Sequence, residues 1–100
     1  MNYMKITFET TGGFAGLTTT KNIDSDKLPA EQAISLRQQV EASNFFNLPA
    51  TIVYRGPARD LFQYKIIIEL EGKRHTVVVD ELAAPLELKP LIKLLRTIKP

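Results

Sequence analysis

His75 is the only imidazole in the chain, so any general-base chemistry would have to start there. A catalytic base needs an oriented partner and a reacting group within reach. The neighbours of His75 are Arg74, Thr76 and the valines 77–79, which supply neither, and a structural role is expected. Cysteine is absent, which removes disulfides, thiolate nucleophiles, iron–sulfur clusters and Cys-containing zinc sites. Ser25, Ser35 and Ser43 have no Gly-x-Ser-x-Gly frame around them. The acidic pair Asp24 and Asp26 is not followed by a twelve-residue calcium loop, and capping of the next helix accounts for it.

Two other patterns suggest chemistry only superficially. Gly12-Gly13-x-x-Gly16 has the glycine density of a phosphate loop. No Lys-Ser/Thr follows it, however, and the next segment reads as a strand where a phosphate loop needs a helix. The basic residues are spread over Arg55, Arg59, Lys73, Arg74 and the C-terminal stretch Lys89, Lys93, Arg96 and Lys99, with no interleaved aromatics. Thirteen Lys and Arg against eleven Asp and Glu leave a formal charge of +2, too little to indicate nucleic acid. The expectation is a protein that is not an enzyme and has no cofactor, no metal and no nucleic-acid or membrane partner.

What remains are apolar side chains in places that are normally polar. Phe14 lies within Gly12-Gly13-Phe14-Ala15-Gly16, and Leu28 stands just before Pro29. Phe14 has two readings: a residue folded back over the sheet edge, or an exposed docking anchor. Leu28 likewise reads as a staple against the following helix or as an anchor.

The elements that must position these residues follow from periodicity. Met4, Ile6 and Phe8 alternate with Lys5, Thr7 and Glu9, which predicts a half-buried strand over residues 3–10. Leu17, Thr19, Lys21 and Ile23 alternate with Thr18, Thr20 and Asn22, so residues 2–24 read as a hairpin with the glycine loop at its tip. A helix is expected from Pro29 to Ala42, with Ala33, Leu36, Val40 and Ser43 on one stripe. The segment 44–49 ends it with Phe45, Phe46 and Leu48, which cap the core.

Residues 49–60 read as a long loop holding at most a short extended piece at Thr51–Tyr54. Phe62, Tyr64, Ile66, Ile68 and Leu70 alternate into a third strand, and Glu71-Gly72-Lys73 is a hairpin turn. Residues 75–80 form a fourth strand whose buried face is ambiguous, because Val77, Val78 and Val79 are all apolar. After a loop over 81–87, Leu91, Leu94, Leu95 and Ile98 recur at helical spacing, with Pro90 in the first turn. Lys93, Arg96 and Lys99 read as a solvated helix face.

The expected fold is a single α+β domain over residues 1–100. It has two layers in the order ββαββα, with a four-stranded antiparallel sheet packed against two or three helices. Ile, Leu, Val and Phe number 31, well above the roughly 20% below which chains stay disordered. The N-terminus alternates polar and apolar residues and lacks the apolar run of a secretory signal. The cytoplasm and a monomeric state are the expectations.

Taken together, several segments resemble the emfourin family. They are Gly12-Gly13-Phe14-Ala15-Gly16, Asp24-x-Asp26-x-Leu28-Pro29, Phe45-Phe46-x-Leu48-Pro49, Asp60-x-Phe62-Gln63-Tyr64, His75-Thr76-Val77-Val78-Val79, and Pro85 before a Leu-rich helix. Emfourin-like proteins are small inhibitors of protealysin and related thermolysin-like zinc metallopeptidases. The resemblance implies an antiparallel sheet packed with helices and a cognate peptidase as partner. On that reading one or two loops are expected to enter or cover the active-site cleft, with Gly12, Gly13, Phe14, Ala15, Gly16, Asp24, Asp26 and Leu28 as candidate contacts. Phe14 or Leu28 would be the anchor, and Asp24 or Asp26 would pair with a cation near the cleft. The segments 18–21 and 51–59 are candidates for partner selectivity. The rival reading is a non-inhibitory interaction module that uses loops or a sheet edge.

Overall fold

The computed structural model describes residues 3–12, 16–57 and 61–99. Of the expected contacts, Gly13, Phe14 and Ala15 lie outside the described residues, as do Arg59 and Asp60. The strands are β1 (Met4–Gly12), β2 (Leu17–Asp24), β3 (Thr51–Ile52), β4 (Phe62–Leu70) and β5 (Lys73–Asp80), and the helices are α1 (Ala30–Ala42) and α2 (Lys89–Thr97). Two short 3-10 turns, Ser25–Lys27 and Phe45–Asn47, flank α1.

The strands form one five-stranded sheet in the order β2-β1-β4-β5-β3. The expected sheet of four antiparallel strands is corrected here. The short extended piece after Pro49 is a fifth strand, and it runs parallel to β5 with Thr51 opposite Val78 and Ile52 opposite Val79. Two residues are too few to show a period, and the pairing is held by a contact distant in sequence, the Val78 N–H donating to the Ala50 carbonyl at 2.8 Å. The other pairings are antiparallel.

One face of the sheet carries the core. Met4, Ile6, Phe8, Ile23, Tyr64, Ile66, Ile68, Val77 and Val79 are buried there, covered by Leu36 and Val40 of α1 and by Leu91, Ile92 and Leu95 of α2. The ambiguity in the fourth strand resolves toward Val77 and Val79, while Val78 is half-buried on the other face. Phe8 and Tyr64 stack with ring centroids 5.6 Å apart and planes at 14°. Phe45 is buried, and Phe46 and Phe62 pack against the core while partly exposed. His75 lies 2.7 Å from the Leu48 carbonyl through Nε2 and meets the Phe45 ring edge-on at 5.6 Å, a structural placement.

The β4–β5 turn uses left-handed backbone at Glu71 (φ 51°) and Gly72 (φ 79°), the primed geometry that matches strand twist. The Arg37 guanidinium of α1 reaches this turn, 3.2 Å from Glu71 Oε1. Pro29 occupies the N-cap position of α1 and not its first turn, and no side chain caps that helix.

Candidate functional site

The register sorts the connections into two ends. Gly12 lies opposite Leu17 and also opposite Phe62, while Gln63 lies opposite Asp80. The β1–β2 connection, the start of β4 and the end of β5 therefore share one end of the sheet. β3 runs parallel to β5, so the residues after Ile52 emerge there too. Three connections therefore leave the sheet at this loop end, after Gly12, after Ile52 and after Asp80, the last of them over 81–88.

Asp80 joins two of them. Its side chain is buried, and the carboxylate accepts the Tyr54 N–H through Oδ2 and the N–H groups of Leu82 (2.9 Å) and Ala83 (2.7 Å) through Oδ1. Charge-assisted bonds of this kind are stronger than neutral ones. The side chains beside these amides point to a surface role. Six large apolar side chains are exposed among the described residues. Four of them belong to this end: Leu17 at 69%, Tyr54 at 44%, Leu82 at 55% and Leu86 at 77%. Exposed apolar groups that share one end of a sheet, some of them on loops pinned by a buried carboxylate, fit a protein-docking surface.

The hairpin that carries the glycine connection is also tied down. Lys21 of β2 turns toward the helices, and its Nζ donates to the carbonyls of Leu95 (3.0 Å), Arg96 (2.7 Å) and Ile98 (2.9 Å). These are orphan acceptors at the negative end of α2. Burial, and secondarily the Arg96 guanidinium, hold the Lys21 ammonium below the usual lysine pKa. Gly12 has φ +107°, and a Cβ there would run into the Leu61 carbonyl oxygen, so the backbones of β1 and β4 approach closely only because this residue is glycine.

Asp24, Asp26 and Leu28 lie at the opposite end, where Lys5 faces Asp24. Along β2 that separation is about 23 Å at roughly 3.3 Å per residue. Asp24 caps the 3-10 turn, accepting the Asp26 N–H at 2.9 Å, and its other oxygen accepts the Tyr3 hydroxyl at 3.2 Å. Ser25 Oγ fastens the same turn to β1 by accepting the Met4 N–H at 2.9 Å. Leu28 is half-buried against the core and lines a hollow of about 330 Å³ with Lys5, Asn22, Lys27 and Glu69. Gly12 and Gly16 are thus placed together at the loop end, and the acidic pair with Leu28 is not brought to them.

Sequence reasoning passed over Leu82 and Leu86 and held Tyr54 only within the 51–59 segment named for partner selectivity. Their signal was the one used for Phe14, a large apolar residue inside a loop. The Asp80 bracket had no sequence signal, since Asp80 read simply as the polar end of a strand.

A family model described as Emfourin matches residues 8–96. The chain belongs to the Emfourin family. The matched span runs from Phe8 in β1 to Arg96 in α2 and takes in all three loop-end connections. Emfourin membership carries a metallopeptidase-inhibitor role and a metallopeptidase partner. No curated protein and no solved structure matches this Emfourin-family chain. Among its described residues no helix is long and apolar enough to cross a membrane, and no group of three or more His, Asp or Glu could hold a metal ion.

Proposed function

We propose that this protein inhibits a thermolysin-like, protealysin-type zinc metallopeptidase by seating the loop end of its sheet on the active-site cleft. The observation that carries this reading is that Leu17, Tyr54, Leu82 and Leu86, exposed apolar side chains, all fall at one end of the sheet, spread from its β2 edge to its β3 edge, with the backbone at Tyr54 and Leu82 fixed by the buried Asp80 carboxylate. Thermolysin-like peptidases favour bulky apolar side chains after the scissile bond, and this end offers several. Holding them on loops ordered before binding lowers the entropy lost on association. Phe14, with Gly13 and Ala15, joins the contact on the strength of its sequence position between Gly12 and Gly16. Occlusion of this kind works by shape and apolar contact and assigns no residue of the chain to the peptidase's zinc. Asp24, Asp26 and Leu28 stand outside the contact, at the far end.

The test is a titration of a thermolysin-like peptidase with the purified protein. Stoichiometric loss of activity supports the reading, and no loss at micromolar excess across several such peptidases refutes it. The alternative is a non-inhibitory interaction module that pairs a peptide with β2, whose outer edge is unpaired in this sheet. It predicts binding without loss of peptidase activity.

A further inference from the structure

A groove of about 450 Å³ runs between α2 and the segment that follows β5, within the range of about 300–1,000 Å³ typical of ligand sites. Buried Tyr64, Ala84 and Ile92 form its apolar floor. Lys89, Lys93 and Arg96 line its helix side, and they recur at positions i, i+4 and i+7, one stripe of α2. Glu81 is the one carboxylate among the described lining residues, and its Oε1 already accepts the Phe62 N–H at 2.9 Å.

Helix stability accounts for Arg96, a cation in the last turn, and not for Lys89 and Lys93. Like charges at i, i+4 cost a few tenths of a kcal/mol. Lys89 opens α2, where the positive helix end disfavours a cation, and no acidic residue offsets it in the first turn. The ion pairs among the described residues involve Arg37 and Arg74 and none of these three cations. Arg96 is held in place, its guanidinium 5.6 Å above the Phe62 ring and Nη1 3.5 Å from the Tyr64 hydroxyl. Its remaining donors make no hydrogen bond to the described residues. A positive wall over an apolar floor complements a chain that alternates carboxylates with aliphatic side chains.

We propose that this groove receives an acidic, partly apolar peptide segment of the protein partner that docks on the loop end. Glu81 and Ala84 belong to the 81–88 connection, so the groove is continuous with that surface. The proposal rests on the reading of the loop end as the docking face, and it adds the charge of the partner's adjoining surface.

The probe is an acetylated pentapeptide of alternating glutamate and leucine, added to the full-length protein and followed by methyl NMR. Controls are the lysine–leucine counterpart and a short oligothymidylate. Saturable shifts are expected at the Ala84, Ile92 and Thr97 methyls with the acidic peptide alone, weakening as salt rises. Lys93→Glu, an exposed substitution, should weaken that binding about tenfold, and Lys27→Glu at the far end should leave it unchanged. Against a peptidase that the parent inhibits, Lys93→Glu should slow association about tenfold, and Lys27→Glu should not. Absence of shifts with the acidic peptide, equal shifts with the lysine peptide or the oligonucleotide, or an unaltered Lys93→Glu variant would each overturn the proposal. The peptide titration needs no peptidase, so its failure is distinct from a failure to inhibit.

Discussion

Asp80 ends β5 and Tyr54 follows β3, and the buried Asp80 carboxylate accepts the Tyr54 N–H on one oxygen while its other oxygen accepts those of Leu82 and Ala83. One side chain thus fixes the backbones that present Tyr54 and Leu82 to solvent. Removing it leaves three donors without their acceptor. Asp80→Ala is expected to cost about 3 kcal/mol or more, and Asp80→Asn, which keeps one carbonyl oxygen, about 1–2 kcal/mol. Urea denaturation measures both. Amide exchange in Asp80→Ala should accelerate most at Tyr54, Leu82 and Ala83.

Lys21 plays the corresponding part for the hairpin. Its ammonium serves three carbonyls at the end of α2. Lys21→Met keeps the aliphatic stem and removes the donors, and should cost about 1–2 kcal/mol. Hydrogen exchange should then show faster opening of the last turn of α2, with the β4–β5 pairing little changed.

Tyr64 gives the fold an alkaline limit. Burial raises its pKa above the ordinary 10.0, Arg96 opposes the rise, and Glu81 adds to it. The unfolded chain therefore releases this proton first. The stability contributed by neutral Tyr64 is complete below pH 10.0 and is lost as pH climbs through the higher folded-state value. Stability against urea should decline above that pH. Tyr64→Phe, which cannot ionise, should decline less steeply over the same range.

Much of the scaffold is legible in the sequence. The alternation of Met4, Ile6 and Phe8 names the buried face of β1, and the leucine stripe names that of α2, because burial on one side leaves a period in the sequence. The alternation in β2 also puts Lys21 on the same face as Ile23. Its partners were not legible, because carbonyls of Leu95, Arg96 and Ile98 are backbone groups brought close only by tertiary packing. β3 escaped for want of length. The candidate surface was half visible: Gly12 and Gly16 do frame one loop of it. Leu82 and Leu86 were passed over as loop residues, and only the strand register shows that their loop shares an end with the glycine hairpin. That register also separates Asp24, Asp26 and Leu28, which the sequence reading names beside the glycine loop as candidate contacts.

The most direct test of the loop-end account is a peptidase titration with variants at both ends of the sheet. Leu82 and Leu86 are exposed, so a Leu82→Ser/Leu86→Ser variant should keep its stability to within about 1 kcal/mol. Its inhibition constant against a thermolysin-like peptidase should rise about tenfold or more, as expected for apolar anchors. Leu28→Ser should change inhibition only as far as it changes folding. The account is contradicted if the folded double variant inhibits as tightly as the parent, or if a folded Leu28→Ser variant is the one that loses inhibition.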